Sequence, residues 1–245
     1  MRSLRNPLVQ IGVWTVGVGA VLSVIVLSVP WLPKEASAQA GKIDTLYEVL
    51  AVISSFVFAL VMSILLVSVY HFRRRHNDLG DGEPIHGNAT VEAVWTAIPA
   101  ILMVGAAVYS ALVLANIEEP KANTQTIEVT GQQFAWTFKY DEGNFRSGEL
   151  HLVKGTPYHL KLRAKDVIHS FWVPEFRLKK DAVPGMTTDL RITPTRAGHY
   201  TLVCTELCGL GHSTMRATVM VGDQGSFDKW AAQQKKNQNS IGGIS

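Results

Sequence analysis

Hydrophobic positions divide the chain into two unlike parts: long apolar runs fill residues 8 to 115, and beyond them apolar residues come in short bursts that alternate with polar ones. The first run, about Leu8 to Leu32, follows Arg2 and Arg5 and is followed by Ala36-Ser-Ala-Gln-Ala40. That is the shape of a secretory leader ending in an A-x-A cleavage signal, and removal near Ala38 or Ala40 is the favoured expectation. The run is long for a leader core and could span a bilayer if left uncut, so residues 1–40 read either as a signal peptide or as an extra N-terminal apolar helix. The second run, Leu46 to Tyr70, carries Glu48 as its single charge, and the third, Val94 to Ala115, carries none. Each is long enough to cross a hydrocarbon core of about 30 Å, so residues 43–117 are expected to form a two-helix transmembrane hairpin. The loop between them begins His71-Phe-Arg-Arg-Arg-His76, and this dense positive charge assigns it to the cytoplasmic side. Everything after the third run is thereby delivered to the outer face.

There the period changes. Thr126–Thr130, Phe134–Tyr140, Pro157–Arg163, Thr188–Thr193, Gly198–Val203 and Arg216–Val221 alternate apolar with polar and read as short strands. Turn signals at Asp141–Asn144, Val153–Gly155 and Arg196–Gly198 separate them. Strands so evenly punctuated predict an all-β Greek-key sandwich over residues 125–232. Ser226–Lys235 has the spacing of a short surface helix, and residues 233–245 read as a flexible tail.

Composition adds little until the cysteines are considered. The chain has 245 residues, 47% of them hydrophobic, and a formal net charge of +3, which fits a membrane-anchored protein and does not point to nucleic acid. It contains no C-x-x-C-H for an attached haem, no internal repeat and no phosphate-binding glycine loop. Its only two cysteines lie in Cys204-Thr-Glu-Leu-Cys208-Gly-Leu-Gly-His212-Ser-Thr-Met215, which gathers two thiols, an imidazole and a thioether into twelve residues. Thiolate, imidazole and a weak thioether together favour copper in an electron-transfer site. A second thiolate four residues from the first would crowd a mononuclear site but suits a pair of coppers bridged by both sulfurs. Each copper then needs a terminal imidazole. One is His212, and the candidate for the other is His169, in Asp166-Val-Ile-His-Ser-Phe-Trp-Val-Pro174, expected on a loop between strands. A disulfide is the main rival for two cysteines in an exported segment, although it leaves His212 and Met215 idle. Zinc is disfavoured by the methionine.

At these residues the sequence resembles subunit II of the haem-copper cytochrome c oxidases, whose binuclear CuA centre lies on C-x-E-x-C-x-x-x-H-x-x-M. The resemblance extends through His169-Ser-Phe-Trp-Val-Pro174, Lys180-Asp-Ala-Val-Pro-Gly185, Gly131-Gln-Gln-Phe-Ala-Trp136 and Val91-Glu-Ala-Val-Trp-Thr-Ala-Ile-Pro99, and covers about residues 43 to 232. It implies a cupredoxin-like sandwich behind the membrane hairpin. It also implies two copper ions held by His169, Cys204, Cys208, His212 and Met215, with Glu206 giving its backbone carbonyl to one copper. By the same resemblance the Glu206 carboxylate lies near a magnesium or manganese ion shared with subunit I, and Phe134 and Trp136 mark where electrons arrive. Glu92 would stand at the mouth of a proton-uptake channel, although a carboxylate in the first turn of a helix is favoured by the dipole in any case. The implied activity is acceptance of electrons from cytochrome c or another periplasmic donor, and their transfer to haem in subunit I. There oxygen is reduced with proton pumping, in a bacterial plasma-membrane complex that also holds subunit III.

Better-known relatives have Trp at the position of Phe134, and many have acids where Lys139 and Lys165 stand here, so a basic cytochrome would be steered less strongly to this face. Three other readings compete. A membrane-tethered copper chaperone for oxidase assembly accounts for the thiols and His169 but not for His212 and Met215. Nitrous oxide reductase adds a propeller that this chain lacks, and quinol oxidase subunit II lacks the copper ligands.

Overall fold

The computed structural model describes residues 6–74, 76, 80, 84–140 and 144–242. The turn expected at Asp141–Asn144 falls largely outside them, as do Arg2, Arg5 and Arg75 of the two positive clusters.

Residues 1–31 and 45–112 form one unit. It contains α1 (Pro7–Ser28) and most of α2 (Ala40–Phe72) and α3 (Ala89–Ile117). All three helices are long and apolar enough to span a bilayer, so the described residues hold three candidate spans, where the sequence suggests a hairpin behind either a removable leader or an extra apolar helix. At 1.5 Å per residue, the 33 residues of α2 reach about 50 Å, well beyond a hydrocarbon core. Asn6 caps α1 by accepting the Leu8 N–H at 2.9 Å. Asn88 caps α3 by accepting the Thr90 and Val91 N–H groups. Glu92, in the first turn of α3, accepts the Asn88 N–H at 3.1 Å, which completes a reciprocal capping arrangement.

Residues 32–44 and 113–245 form the second unit. Its two five-stranded sheets are ordered β3-β2-β1-β5-β8 and β4-β10-β9-β6-β7. The strands are β1 (Gln125–Gln132), β2 (Ala135–Tyr140), β3 (Phe145–Ser147), β4 (Leu150–Val153), β5 (Tyr158–Ala164), β6 (His169–Trp172), β7 (Lys179–Ala182), β8 (Thr188–Ile192), β9 (Gly198–Cys204) and β10 (Arg216–Gly222). β1 pairs in parallel with β5, and β4 with β10. Every second residue of β1, β2 and β5 is buried, as the alternating sequence requires. Val129, Phe138, Leu160 and Leu162 from the first sheet meet Leu150, Phe171, Leu202 and Val219 from the second, all at most 1% exposed. Burying each such side chain contributes about 1.5–3 kcal/mol, so the core holds both sheets, and the loops at their ends, in fixed register.

Two expectations change here. His169 is the first residue of β6, where it pairs with Ala182, and so is not on a loop. β6 is buried along almost its whole length and shows no alternation that would mark it as a strand. The C-terminal helix α4 runs from Gln224 to Gly242, through most of the expected tail. Trp230 anchors it by stacking on His151 at 3.8 Å and packing edge-on against Tyr140 and Phe145.

Candidate metal centre

The loop between β9 and β10 holds the donor residues, and its two ends are fastened together. Cys204, the last residue of β9, donates its N–H to the Met215 carbonyl at 3.1 Å, and Thr205 donates to the Ser170 carbonyl of β6 at 3.1 Å. Phe171 lies opposite Cys204 in the sheet, which places His169 beside the loop. A short 3-10 helix, His212–Thr214, then turns the chain back to Met215.

The donor atoms converge. Cys204 Sγ lies 3.9 Å from His169 Nδ1 and 3.9 Å from Cys208 Sγ. Cys208 Sγ lies 3.6 Å from His212 Nδ1 and 3.8 Å from Met215 Sδ. Cys204 Sγ is also 3.3 Å from the Glu206 backbone carbonyl, while the Glu206 side chain is exposed. Among the described residues, His169, Cys204 and Cys208 form a set whose ligand atoms all lie within 4.8 Å of one another. Both cysteines are free, so no disulfide joins them. His169 and Met215 are fully buried, and Cys204 and Cys208 nearly so. Burial, followed by the neighbouring Cys204, pushes the Cys208 thiol up to about 11. A metal taken up here must displace protons.

Two further residues shape the site. The Asp166 carboxylate accepts from His169 Nε2 at 2.8 Å and from the Val167 N–H at 2.8 Å through one oxygen, and from the Gln133 N–H at 2.7 Å through the other. Partial burial makes this carboxyl harder to ionise, but the three donors outweigh it and hold the carboxyl at about 2. Bonding Nε2 leaves Nδ1 as the free donor atom facing Cys204, the usual way an outer partner orients a ligating imidazole. Gln133 also donates through Nε2 to the Cys208 carbonyl at 2.5 Å. It therefore joins the β1–β2 turn to the donor loop. Sequence reasoning missed both roles. The three-residue step from Asp166 to His169 is a visible signal for the first, whereas nothing in the sequence signals the second.

Of the aromatic pair, Phe134 is 38% exposed and Trp136 only 3%. Cβ atoms placed on Gly209 and Gly211 would lie 3.2 and 2.5 Å from the Phe134 ring, so that ring rests directly on the backbone between Cys208 and His212. Trp136 lies deeper, edge-on to His169 with ring centroids 6.0 Å apart. Glu92 lies in the other unit and is exposed.

The comparisons with known proteins bear on this arrangement. The sequence model for the cytochrome c oxidase subunit II transmembrane domain matches residues 23–113, and that for the periplasmic domain matches residues 148–221. Cytochrome c oxidase subunit 2 of Thermostichus vulcanus is 33% identical over 280 residues, covering 91% of this chain and 85% of that protein. The chain belongs to the cytochrome c oxidase subunit II family. Alternative cytochrome c oxidase subunit 2 of Bradyrhizobium diazoefficiens is 30% identical, with 84% of this chain and 85% of that protein covered. Among solved structures, the periplasmic domain of subunit II of cytochrome oxidase of Bradyrhizobium japonicum is 29% identical, with a TM-score of 0.46 and 48% of this chain and 97% of that chain covered.

The protein is thus subunit II of a haem-copper terminal oxidase, the electron-accepting subunit of an oxidoreductase complex, built as apolar helices followed by a cupredoxin-like sandwich. A CuA site is implied by the family, and the side chains fit it. Two free thiols 3.9 Å apart, each facing one imidazole, with a thioether beside one of them, are a soft donor set for two metals that share sulfur.

Proposed function

We propose that His169, Cys204, Cys208, His212 and Met215 hold the two coppers through their side chains and Glu206 through its backbone carbonyl. The observation that carries this is the 3.9 Å spacing of two unpaired sulfurs, with an imidazole nitrogen 3.9 Å from Cys204 Sγ and another 3.6 Å from Cys208 Sγ. A copper pair held by these residues would supply one-electron redox capacity, and the two thiolate charges would keep its formal charge between +1 and 0. So small a charge suits a site with Met215 and His169 fully buried, because a large unpaired charge would be costly to hold there. Asp166 fixes the His169 ring through Nε2, and the sandwich core keeps β6 and the donor loop from drifting apart. Phe134 forms the exposed aromatic face over the donor loop and is the proposed point of electron arrival, with Trp136 packing behind it against His169.

The proposal places the sandwich on the outer side of a bacterial plasma membrane. There it takes electrons from cytochrome c or another periplasmic donor and passes them to haem in subunit I, with subunit III in the same complex. The exposed Glu206 carboxylate would serve a magnesium or manganese ion at the border with subunit I. Glu92 is explained by its bond to the Asn88 N–H, and proton uptake at this residue would be an additional role.

Copper counting and electron paramagnetic resonance on the full chain in detergent test the central claim. Two coppers per chain and a mixed-valence signal are expected, and Cys204→Ser and Cys208→Ser should each abolish that signal. A single copper, or a cystine in the folded protein, would overturn it. The chaperone reading predicts labile Cu(I) bound by a reversible dithiol, with His212 and Met215 dispensable.

A further inference from the structure

The Ala36-Ser-Ala-Gln-Ala40 stretch that resembles a leader cleavage signal is built into the sandwich unit. Ala36 and Ala40 are 0% exposed, Ser37 3% and Gln39 5%. Ser37 forms an antiparallel bridge with Pro194, just past β8. Around it the backbone is engaged: Thr195 donates to the Ala36 carbonyl, Ala36 to the Glu175 carbonyl and Ala38 to the Thr193 carbonyl, each at 2.9 Å. The side chains add to this. Ser37 Oγ donates to the Phe176 carbonyl at 2.9 Å, and Gln39 Oε1 accepts the Thr193 N–H at 3.2 Å. Arg177 clasps both ends, reaching the Pro33 carbonyl at 2.6 Å and Asp44 Oδ1 at 2.7 Å.

We propose that residues 33–39 are a permanent strap of the outer domain and that α1 is an uncleaved membrane span, so that the mature chain crosses the membrane three times. A leader peptidase reads small residues one and three positions before the cut in an exposed, extended segment. Here Ala36 and Ala40 are packed, and the backbone of Ala36 and the N–H of Ala38 are already paired. A cut after Ala38 would strand the buried carbonyls of Glu175 and Phe176 and the Thr195 N–H, and would set a charged N-terminus at the buried Gln39. α1 itself argues the same way. Its 22 residues reach about 33 Å, the length of a span, whereas a leader core has roughly 7–15 residues. It also packs on α2 as spans pack. A Cβ on Gly19 would come within 2.6 Å of the Phe56 ring, so this close approach requires glycine, and Ser23 beside it bonds back to the Gly19 carbonyl at 2.8 Å. The N-terminal Arg2 and Arg5 and the positive loop after α2 then lie on the same cytoplasmic side, and the strap lies outside with the sandwich.

The proposal is independent of the copper assignment and is tested without copper. The full chain is produced in a bacterium with its own secretion machinery, purified from membranes in detergent, and analysed by N-terminal sequencing and intact mass. An N-terminus ahead of Pro7 is expected. A start at Gln39, at Gly41 or anywhere else beyond Pro7 overturns the proposal. Ala38→Leu is the companion variant: its side chain is exposed, yet leucine there blocks recognition at both cleavage sites. Wild type and variant should differ in mass only by the substitution, and a wild type shorter than the variant shows that processing occurs. Hydrogen exchange reads the strap directly. The Ala36 and Ala38 amides should be protected as strongly as those of β8, and exchange at open-linker rates refutes the docked strap.

Discussion

Replacing Asp166 by asparagine separates the charge of this residue from its shape. Oδ1 of the carboxylate accepts from His169 Nε2 and from the Val167 N–H, and Oδ2 accepts from the Gln133 N–H. Asparagine has one acceptor oxygen, so keeping the first two bonds turns its NH₂ group against the Gln133 N–H, donor facing donor. Losing a hydrogen bond to a charged group costs about 1.5–3 kcal/mol. Proton linkage gives an independent figure. A carboxyl held at about 2, against 3.8 in the unfolded chain, contributes about 2.4 kcal/mol at neutral pH as an upper bound. The side chain is 31% exposed, and screening by water reduces that to about 1–2 kcal/mol. Both routes point to about 2 kcal/mol. Because the folded-state value lies below the unfolded one, the stabilisation is fully present above about pH 4 and is lost as pH falls towards 2. Urea unfolding of the copper-free chain in detergent, followed by near-ultraviolet circular dichroism, should show Asp166→Asn less stable by about 2 kcal/mol at pH 6 and by roughly half that at pH 3. A deficit equally large at both values, or none at pH 6, refutes the reasoning. Copper-loaded protein supplies a second reading, since a His169 ring freed at Nε2 should shift the reduction potential while both coppers stay bound.

In the copper-free protein, Cys208 at about 11 should be about one part in a thousand thiolate at pH 8, so iodoacetamide should label it about two orders of magnitude more slowly than a free cysteine near 8.5. Mass spectrometry of the labelled chain measures this, and labelling at the free-thiol rate would mean that the donor loop is open. Gln133→Ala removes the donor to the Cys208 carbonyl, and the sandwich should lose about 1–2 kcal/mol and melt roughly 5–10 °C lower; an unchanged melting temperature would show that water replaces the amide. Gly211→Ala drives a Cβ to 2.5 Å from the Phe134 ring, which is exposed enough to swing away. Electron uptake measured by stopped-flow should therefore slow while copper content and stability hold, and an unchanged rate would remove Phe134 from the route. With Lys139 bonded to Glu128 at 3.4 Å and Lys165 exposed, reduction by a basic cytochrome c should depend only weakly on ionic strength, and a steep fall in rate with added salt would contradict this.

The donor loop was legible because metal chemistry needs particular atoms at short spacing, and Cys204, Cys208, His212 and Met215 provide them without help from the fold. β1, β2 and β5 were legible for a similar reason: one face of each is buried, and the alternation records it. β6 and β7 were not legible. His169, Ser170 and Phe171 are all buried, and Lys179-Lys-Asp-Ala182 is a polar edge, so neither segment carries a period of two. The bond from Gln133 to the Cys208 carbonyl spans 75 positions and ends on backbone, which leaves no trace in residue type. Trp230, read from the sequence as one residue of a short helix, holds a longer helix in place because Tyr140, Phe145 and His151 meet it in three dimensions.

The small residues from Ala36 to Ala40 show why one local pattern supports two readings. A peptidase groove and the flank of a β-sandwich both require an extended backbone with side chains no larger than a methyl or hydroxymethyl group, so A-x-A satisfies either. What separates them is the neighbourhood. A leader end needs a flexible, polar surround, whereas these residues face Thr193, Pro194 and Thr195 across paired backbones and have Arg177 closing over them. Arg177 takes a left-handed conformation at φ 63°, one that favours glycine. There its guanidinium reaches Pro33 and Asp44 together, and a non-glycine residue held in that conformation is what a fixed strap requires and a discarded leader would not.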